Sequence, residues 1–489
     1  MKRILIASLI AAFAVSAFAQ NPKREFRGAW LHTVSQMHYT HRDADGNKAY
    51  LRDQLDKLQK AGCNAILWQV RPSADAFYPS KLEPWSRFLS GKAGVAPDPV
   101  WDPLQFMIDE CHARGMELHA WLNPYRVTTS KNEVLPKNHI YYKHPERFVK
   151  YGDKMYFDPG IPQNRKFIES VINDIITRYD LDGIHFDDYF YPYPEKGKQF
   201  PDSASYAKYG KGIKRDDWRR HNVDLLIEEI HNLISKKKPW VVFGISPFGI
   251  WRNKKSDPRG SDTNGLQNYD ALYADVLLWT EKGWVDYMLP QLYWELEHKA
   301  ASTLVLADWW SQWTNGRRMY YGQDVRRTMT KPDLPPSTDK NQLAHKIRLT
   351  RENPNVHGNC WWPGYAITEN VEGVADSLAT NFQSTVALVP TYPWISDKAP
   401  KAVSKLKVDG NSIVWESDKI RNKTEDAVKW VVYYFPKGKA VNIDDASAIQ
   451  CVTWRKHFAI PADKQHGTFT VTALSRVNEE SEPTSLTLD

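Results

Sequence analysis

Eight short apolar segments, separated by stretches with helical periodicity, constrain the fold of this chain more than any other feature of its sequence. The segments are rich in β-branched and aromatic residues, which is typical of buried strands. Strands that alternate with helices build a parallel sheet with helices packed on its faces. The strand candidates cover residues 26–33, 65–71, 117–124, the segment that ends at Asp187, 241–247, 286–294, 319–324 and 358–364.

Eight such units are the number that closes a (β/α)8 barrel, also called a TIM barrel. We therefore predict an α/β protein with this barrel over residues 25–385 and with helices near 103–114, 164–179 and 219–235. The long inserts follow strand ends, where barrels of this kind carry their sites. The main alternative is a doubly wound open sheet, but that fold usually has a glycine-rich phosphate turn after its first strand, and none is present.

The pattern changes near residue 386. Pro390 and Pro393 mark a predicted linker over 386–397, and short alternating segments follow over 398–489. Alternation with this spacing predicts a small antiparallel β-sandwich. No cluster of polar residues typical of a catalytic site occurs in it, so we expect the barrel to keep its chemistry when residues 398–489 are removed.

The first 19 residues have the pattern of a secretory signal peptide. Lys2 and Arg3 precede an apolar run from Ile4 to Phe18, and Ala19 closes a small-residue cleavage site. The run is too short for a comfortable transmembrane span, and no later stretch is apolar enough for one. We therefore expect an exported protein, periplasmic or extracellular, without stable membrane insertion.

Charge and cysteine content exclude several classes of partner. The chain has 489 residues and a formal net charge of +7, but no long basic run, so nucleic acid is not an expected partner. The four cysteines have neither metal-ligand spacing nor a dense disulfide pattern, and buried free thiols fit better than a Cys63–Cys111 pair. We expect no metal and no cofactor. The 20 tryptophans favour flat platforms for sugar rings as well as core packing.

Two adjacent carboxylates, Asp187 and Asp188, end the fourth apolar strand. Burying a carboxylate is costly without partners, and strand ends of such barrels collect catalytic groups, so the pair predicts a catalytic site. Glycoside hydrolysis ordinarily needs one carboxyl group that protonates the leaving oxygen and another that attacks or activates water. Asp187 is the candidate nucleophile or stabiliser. Glu295 and Asp188 are the candidate proton donors. In the structural alternatives, Glu295 is an exposed loop residue, and an aspartate of the pair caps the next helix or pairs with an arginine.

Polar and aromatic residues that follow the strands suit a polyhydroxylated ligand. We predict substrate-binding roles for Arg71, Asp75, Asn123, Tyr125, Arg126, His185, Tyr189, Ser246, Gln291, Tyr293, Trp294, Asp324 and Trp362. Some have a structural alternative. Arg71 can neutralise a core carboxylate, Asn123 can tie down a loop, and Ser246 suits a turn because no nucleophile elbow surrounds it.

Six motifs, in order along the barrel, resemble the glycosyl-hydrolase-like family ten. They are Gly28-Ala29-Trp30, Gln69-Val70-Arg71-Pro72, Trp121-Leu122-Asn123-Pro124-Tyr125-Arg126, Asp182-Gly183-Ile184-His185-Phe186-Asp187-Asp188-Tyr189, Ser246-Pro247-Phe248-Gly249-Ile250-Trp251-Arg252 and Pro290-Gln291-Leu292-Tyr293-Trp294. The resemblance implies a TIM-barrel glycosidase of bacterial envelopes, and at least one similar protein group acts on peptidoglycan strands stripped of their peptides. The segment 398–489 resembles a fibronectin type III domain.

The spacing from Gly183 to Asp187 is also similar to the fourth-strand nucleophile motif of the α-amylase superfamily. His185 stands where those enzymes have an arginine. Ser246 stands at the end of the fifth strand, where those enzymes have their acidic glutamate, so the resemblance to them does not identify a proton donor here. We predict an exported glycoside hydrolase acting on a polysaccharide, with cell-wall glycan favoured. The alternative is a non-catalytic glycan-binding protein with the same cleft, and a second carboxylate facing Asp187 would distinguish the two.

Overall fold

The computed structural model describes residues 21–330 and 342–489, so the predicted signal peptide lies outside the described residues. The first part of the chain contains eleven strands within these ranges. They are β1 (Phe26–Leu31), β2 (Ala65–Arg71), β3 (Glu117–Leu122), β4 (Phe148–Tyr151), β5 (Lys154–Phe157), β6 (Gly183–Phe186), β7 (Val242–Ile245), β8 (Tyr287–Met288), β9 (Arg318–Met319), β10 (Tyr321–Asp324) and β11 (Gly358–Trp362).

Nine of these strands form one parallel sheet in the order β10-β11-β1-β2-β3-β6-β7-β8-β9. Only Tyr320 separates β9 from β10, and its backbone N–H still bonds to Met288 O of β8 at 2.9 Å. The two short strands are therefore halves of one strand, and the sheet closes as an eight-stranded barrel. The predicted (β/α)8 fold is confirmed. The hairpin β4–β5 lies in the insert that follows β3.

Helices cover the outside of the barrel. The α-helices are Ala44–Lys60, Arg87–Ser90, Pro103–Ala113, Pro162–Arg178, Ser203–Tyr209, Arg215–Lys237, Val276–Glu281, Thr303–Ser311, Val325–Thr330, Gln342–Arg351, Gly364–Thr368 and Val374–Ser377. Shorter 3-10 or π turns are Met37–His41, Ile140–Tyr142, Pro145–Arg147, Asn268–Leu272, Val371–Gly373, Leu378–Phe382 and Ala446–Ala448.

Local sequence explains where the long helices begin and end. The helix Pro103–Ala113 begins with Pro103, whose missing N–H needs no partner there, and the Asp102 side chain caps it by accepting from Gln105 N. Gly115, with φ +74°, then turns the chain into β3. Every residue of β1, β2, β3, β6 and β7 is buried, as expected for parallel strands covered on both faces.

Several strands are shorter than the sequence predicts, among them the sixth and the first. The sixth barrel strand spans only Tyr287–Met288. Pro290 has no N–H to donate to a neighbouring strand, although Gln291 N after it still donates to Pro247 O at 3.0 Å. The first ends at Leu31 because the N–H of Thr33 bonds to the Gln69 side chain instead of a neighbouring strand. In both places the chain after the strand is free to carry side chains to the barrel mouth.

Residues 398–489 form two antiparallel sheets that enclose a small core. Sheet β12-β13-β16 consists of Ser404–Asp409, Ser412–Glu416 and His457–Ala459, and sheet β15-β14-β17-β18 consists of Ile449–Thr453, Lys429–Pro436, Gly467–Leu474 and Thr484–Leu488. Trp415 and Trp430 pack between them. The antiparallel β architecture is confirmed, while the fibronectin type III resemblance and the domain boundaries stay predictions.

The sandwich docks on the end of the barrel where the strands begin. Lys429 Nζ lies 2.6 Å from Glu117 Oε1 at the start of β3, and both side chains are almost fully buried. Asn478 Nδ2 donates to the same oxygen at 3.0 Å. The connecting segment 386–397 packs there too, because Leu388 is buried and Trp394 Nε1 donates to Asp286 at 2.8 Å. Strand beginnings in such barrels serve stability rather than chemistry.

Two further sequence expectations concern thiols and membranes. All four cysteines are free, with Cys63, Cys111 and Cys360 buried, as the sequence predicts. Among the helices of residues 21–330 and 342–489, none combines the length and the apolar character needed to cross a bilayer.

Candidate active site

A cavity of about 350 Å³ opens at the end of the barrel where the strands finish. This is the end at which barrels of this fold carry their sites. The predicted residues that line it are Arg126, Asp187, Asp188, Tyr189, Ser246, Gln291, Tyr293 and Trp362. They lie at or after the ends of five different strands, β3, β6, β7, β8 and β11, and barrel closure brings them together.

Asp187 reaches the cavity because alternate side chains of β6 face the barrel interior. His185 precedes it on the same face, and Gly183 begins the series. Gly183 leaves room for a neighbour, since a Cβ there would lie 2.6 Å from His119 Nδ1. The Asp187 carboxylate accepts hydrogen bonds from Asn123 Nδ2 and, at 3.3 Å, from Tyr189 N, so it is buried with donors.

Asp188 faces the same cavity because β6 ends at Phe186 and the strand alternation stops there. Its carboxyl group accepts a hydrogen bond from Tyr193 OH and another from Gln291 Nε2 at 3.3 Å. Asp187 and Asp188 are 4% and 3% exposed. The site therefore holds two nearly buried carboxyl groups on adjacent residues.

The surroundings separate the titration of the two groups. Burial raises the pKa of Asp187, but the Arg126 guanidinium and the Asn123 amide oppose that rise by favouring the ionised form. Burial and the charge of Asp187 raise the pKa of Asp188 to about 7. Since two adjacent carboxylates resist being charged together, the charge of Asp187 favours the protonated form of Asp188.

Asn123, although predicted to bind substrate, acts from behind the cavity wall. Its Oδ1 accepts from Gln69 Nε2 at 2.6 Å and from Arg126 Nη2 at 2.8 Å. These two donors orient the amide so that its Nδ2 points at Asp187. Gln69 is itself held by the N–H groups of Thr33 and Val34, both at 2.8 Å. The orientation of Asp187 is thus set by a chain of fixed amides.

His185 is also a supporting residue. Trp30 Nε1, which can only donate, bonds to His185 Nε2 at 3.2 Å, so that ring nitrogen is unprotonated and Nδ1 carries the hydrogen. Nδ1 then donates to Tyr287 OH at 3.0 Å. Burial and the charge of His119 hold the pKa of His185 well below its ordinary value. His185 is a neutral acceptor under the cavity floor.

Below His185 the barrel centre is polar. Tyr287 OH lies 2.9 Å from His119 Nδ1, and His119 Nε2 lies 3.4 Å from Glu117 Oε2. Gly244 makes this possible, since a Cβ there would lie 1.9 Å from the Tyr287 ring. Glu117 in turn pairs with Lys429 of the sandwich. Polar contacts therefore run along the barrel axis from the cavity floor to the docked domain.

Aromatic rings form the cavity walls. Trp121 and Trp362 meet edge to face with centroids 6.0 Å apart, and His32 lies 4.7 Å from the Trp362 ring. Trp30 and Tyr293 meet edge to face across the opposite side at 6.3 Å. Such walls combine apolar faces with a few polar edges, which suits a sugar ring.

Three predicted residues near the barrel mouth do not line the cavity. Arg71 is fully buried and forms a two-point ion pair with Glu83 at 2.6 and 2.7 Å, which matches its structural alternative. Asp75 accepts from Ser73 N at 2.9 Å, and burial raises its pKa to about 6. Tyr125 is buried in the core. A position at a strand end therefore does not by itself distinguish a residue that is buried in the core from one that lines the cavity.

Three more predicted residues lie away from the cavity. Trp294 packs on Phe248 at 5.4 Å between ring centroids. Glu295 is buried, and its charge acts on the Lys346 ammonium group. Asp324 caps the helix Val325–Thr330 by accepting from Arg327 N at 2.7 Å. Glu295 does not line the cavity, although Gln291 and Tyr293 shortly before it do. Its backbone oxygen accepts hydrogen bonds from His298 N and Thr303 N, each at 3.2 Å.

Six cavity residues were not predicted as site residues. They are Trp30, His32, Val34, Ser35, Gln69 and Trp121. Side chains along a strand alternate between its two faces, so residues two positions apart face the same side. Trp121 lies two positions before Asn123, and Trp30 lies two positions before His32. This period could have indicated that these side chains face the barrel interior. Val34 and Ser35 belong to a loop whose course has no such periodicity.

No group of three or more His, Cys, Asp or Glu side chains with metal-site geometry occurs among residues 21–330 and 342–489. The cavity lining includes two carboxyl groups, one guanidinium and two phenols.

Comparisons with known proteins identify the family of this chain. The glycosyl hydrolase-like 10 family model matches residues 25–334. Glycosyl hydrolase YngK of Bacillus subtilis (strain 168) is 38% identical over 504 residues, which cover 99% of this chain and 98% of that protein. Glycosyl hydrolase DigH of Escherichia coli (strain K12) is 41% identical over 317 residues, covering 60% of this chain and 71% of that protein.

Among solved structures, the glycoside hydrolase domain of PgaB (BpsB) from Bordetella bronchiseptica aligns with a TM-score of 0.48. The alignment has 13% sequence identity and covers 73% of this chain and 99% of that one.

Proposed function

Because this chain belongs to the glycosyl hydrolase-like 10 family, we propose that it is an exported glycoside hydrolase that cleaves O-glycosidic bonds of a peptidoglycan-type glycan. The observation that carries the proposal is the pair of buried carboxyl groups, Asp187 and Asp188, in one cavity with different partners. Carboxyl groups whose surroundings push their pKa values apart provide an acid and an anion in one site.

Asp188 is the proposed proton donor. With its pKa raised to about 7, it is protonated in mildly acidic solution and about half protonated at neutral pH, so it can protonate the leaving oxygen. Asp187 is the proposed anion that stabilises positive charge developing on the sugar. Glu295 has no place in this mechanism, since its side chain does not line the cavity.

A cell-wall glycan is the favoured substrate for two reasons. The cavity has aromatic walls and lies within the volume range of small-ligand sites, so it suits a single sugar ring of a longer strand. The predicted export signal would deliver the protein to the compartment that contains peptidoglycan.

The direct test incubates purified protein of residues 21–489 with peptide-free peptidoglycan strands and with a panel of other polysaccharides. We expect the wild-type protein to release new reducing ends from the peptidoglycan strands. The Asp188→Asn protein, purified in the same way, should release none. Binding of the strands without new reducing ends would favour the non-catalytic glycan-binding alternative.

The pH profile should report on Asp188. Its acid form is needed, so activity should fall as pH rises through about 7, the pKa of this group. In Asp188→Asn protein, substrates with poor leaving groups should lose about 10²–10⁴-fold in rate, whereas activated aryl glycosides should lose far less. Measuring kcat/KM on both substrate types against pH checks this, and an equal loss on both would remove Asp188 from the role.

Trp362 should contribute binding rather than chemistry. Replacing it with alanine removes one aromatic wall, and we expect KM to rise about tenfold, equivalent to about 1.4 kcal/mol, with kcat little changed. Trp454→Ala is the matched control, because Trp454 stacks on His112 away from the cavity. Steady-state kinetics of the two variants would contradict the assignment if their KM values rose equally.

A further inference from the structure

The two carboxyl groups of the cavity lie on neighbouring residues, and this constrains the reaction. Adjacent Cα atoms across a trans peptide are about 3.8 Å apart, so Asp187 and Asp188 reach a bound sugar from one stretch of backbone. Ordinary retaining and inverting hydrolysis both place the two carboxyl groups on opposite faces of the ring. Among the described residues, no third Asp or Glu side chain lines the cavity.

We propose that the attacking group is supplied by the substrate itself, as the carbonyl oxygen of a 2-acetamido group on the sugar at the cleavage site. This inference rests on the proposed function and narrows the substrate class to β-linked N-acetylhexosamines. The β linkage is required because only then, in the gluco configuration, is the acetamido group trans to the leaving oxygen and able to attack from behind.

The first step forms one bond and breaks another. The acetamido oxygen attacks the anomeric carbon, the bond from that carbon to the leaving oxygen breaks, and Asp188 gives its proton to that oxygen. The sugar becomes a bicyclic oxazolinium ion, and Asp188 becomes a carboxylate. In the second step water attacks the anomeric carbon, Asp188 takes a proton from it, and the ring opens to restore the acetamide with net retention.

Asp187 is suited to hold the amide N–H during this step. As the oxygen attacks, positive charge grows on the amide nitrogen, and an ionised carboxylate next to it is the stabilising partner. Arg126, whose charge favours the ionised form of Asp187, lies in the same wall, with its guanidinium 5.3 Å from the Tyr189 ring. Asn123 fixes the orientation of this carboxylate.

Tyr293 is suited to orient the acetamide. Its phenol lines the cavity, and no hydrogen-bond partner for it occurs in the described parts of the chain. Burial and the charge of Asp188 keep the pKa of Tyr293 well above its ordinary value, so the phenol stays a donor. A hydrogen bond to the acetamide would turn the group toward the anomeric carbon.

The kinetic test uses aryl β-glycosides of glucosamine whose N-acyl group is acetyl, fluoroacetyl, difluoroacetyl or trifluoroacetyl, with the aryl β-glucoside as the matched compound without the amide. Fluorine withdraws electrons from the carbonyl oxygen. We expect kcat/KM to fall by about 10²-fold or more across the series, and the glucoside to react more slowly still. Rates that stay constant across the series would overturn the inference while leaving the glycosidase proposal intact.

A binding test gives an independent readout. The thiazoline derived from N-acetylglucosamine is a stable analogue of the oxazolinium ion, and calorimetry should show it binding at least about 10²-fold more tightly than N-acetylglucosamine. Asp187→Asn should weaken that binding about tenfold, because the charged hydrogen bond is lost. Tyr293→Phe should weaken it less.

The two tests separate the possible failures. Thiazoline binding that depends on Asp187, without cleavage of any glycan or glycoside, would overturn the proposed hydrolase function but support the N-acetylhexosamine site. Cleavage together with weak thiazoline binding, or with trapping of Asp187 by a 2-deoxy-2-fluoro glycoside, would instead make Asp187 a covalent nucleophile and overturn the inference.

Discussion

Asp187→Asn is expected to lower kcat on peptide-free peptidoglycan strands by about 10³-fold or more, because a negative charge next to developing positive charge is removed. The substituted side chain is nearly isosteric, and its oxygen can still accept from Asn123 Nδ2, the present partner of Asp187. The fold and the melting temperature should therefore be retained. Kinetics and thermal melts on the same preparations check both parts.

Asp158→Asn is the matched control for this prediction. Asp158 is also a buried carboxyl group whose pKa is raised to about 6, mainly by burial, but it bonds to Ser205 and Gly160 away from the cavity. We expect its activity to stay within a few-fold of wild type. If Asp187→Asn retained near-wild-type turnover, or if both variants lost it equally, the assignment of Asp187 would be wrong.

Lys429→Met is expected to destabilise the whole protein, although Lys429 lies in the sandwich and far from the cavity. The substitution leaves the Glu117 carboxylate buried without its cation, which costs about 3–5 kcal/mol. We expect the first melting transition to fall by about 10 °C. Burial by itself would raise the pKa of Glu117, but the charge of Lys429 and the hydrogen bonds to His119 and Lys429 hold it below the ordinary range.

The sign of the pH dependence follows from that depressed pKa. The stabilisation is present above the ordinary glutamate pKa and is lost as pH falls through the lower pKa of the folded state. The difference in melting temperature between wild type and Lys429→Met should therefore shrink in acid. Lys405→Met is the control, because Lys405 pairs with Glu416 on the surface and such pairs contribute little.

A double variant tests the mechanism of this effect. Glu117→Gln added to Lys429→Met removes the unpaired charge and should recover part of the lost stability. No recovery would indicate that Lys429 acts through packing instead. An unchanged melting temperature in the single variant would mean that the buried pair does not couple the sandwich to the barrel.

The same contact changes an expectation drawn from the sequence. Removal of residues 398–489 was predicted to leave the chemistry intact, and none of these residues lines the cavity. The truncation also removes Lys429 and Asn478, both partners of Glu117, at the start of β3. We therefore expect the isolated barrel to be less stable than the full-length protein. The activity of the isolated barrel should be measured at temperatures below its melting transition.

The barrel was predictable because its signals are local. Each strand is a short apolar run, and the order of eight such units leaves few topologies. The helices Ala44–Lys60, Pro103–Ala113 and Pro162–Arg178 also have a capping side chain or a proline at their starts. The pair Asp187 and Asp188 was predictable for a related reason. A charged pair that ends a buried strand conflicts with local burial rules, and such conflicts mark functional sites.

The remaining site residues depended on distances that strand patterns do not contain. Arg71 and Arg126 both follow strand ends, but Arg71 is neutralised by Glu83 twelve positions away, whereas Arg126 lines the cavity. Glu295 was expected to face Asp187, but its side chain does not line the cavity, although those of Gln291 and Tyr293 shortly before it do. Identical residue types at equivalent strand ends thus received different roles from their neighbours in space.

The sequence by itself determined the barrel, the antiparallel β region after it and the two carboxylates, because periodicity and strand ends are properties of short segments. Only the tertiary structure decided which side chains share the cavity with them, that Glu295 does not line it, and that the sandwich neutralises Glu117. These outcomes depend on contacts between residues far apart in the chain, where burial and charge are set by whatever the closed barrel brings into contact.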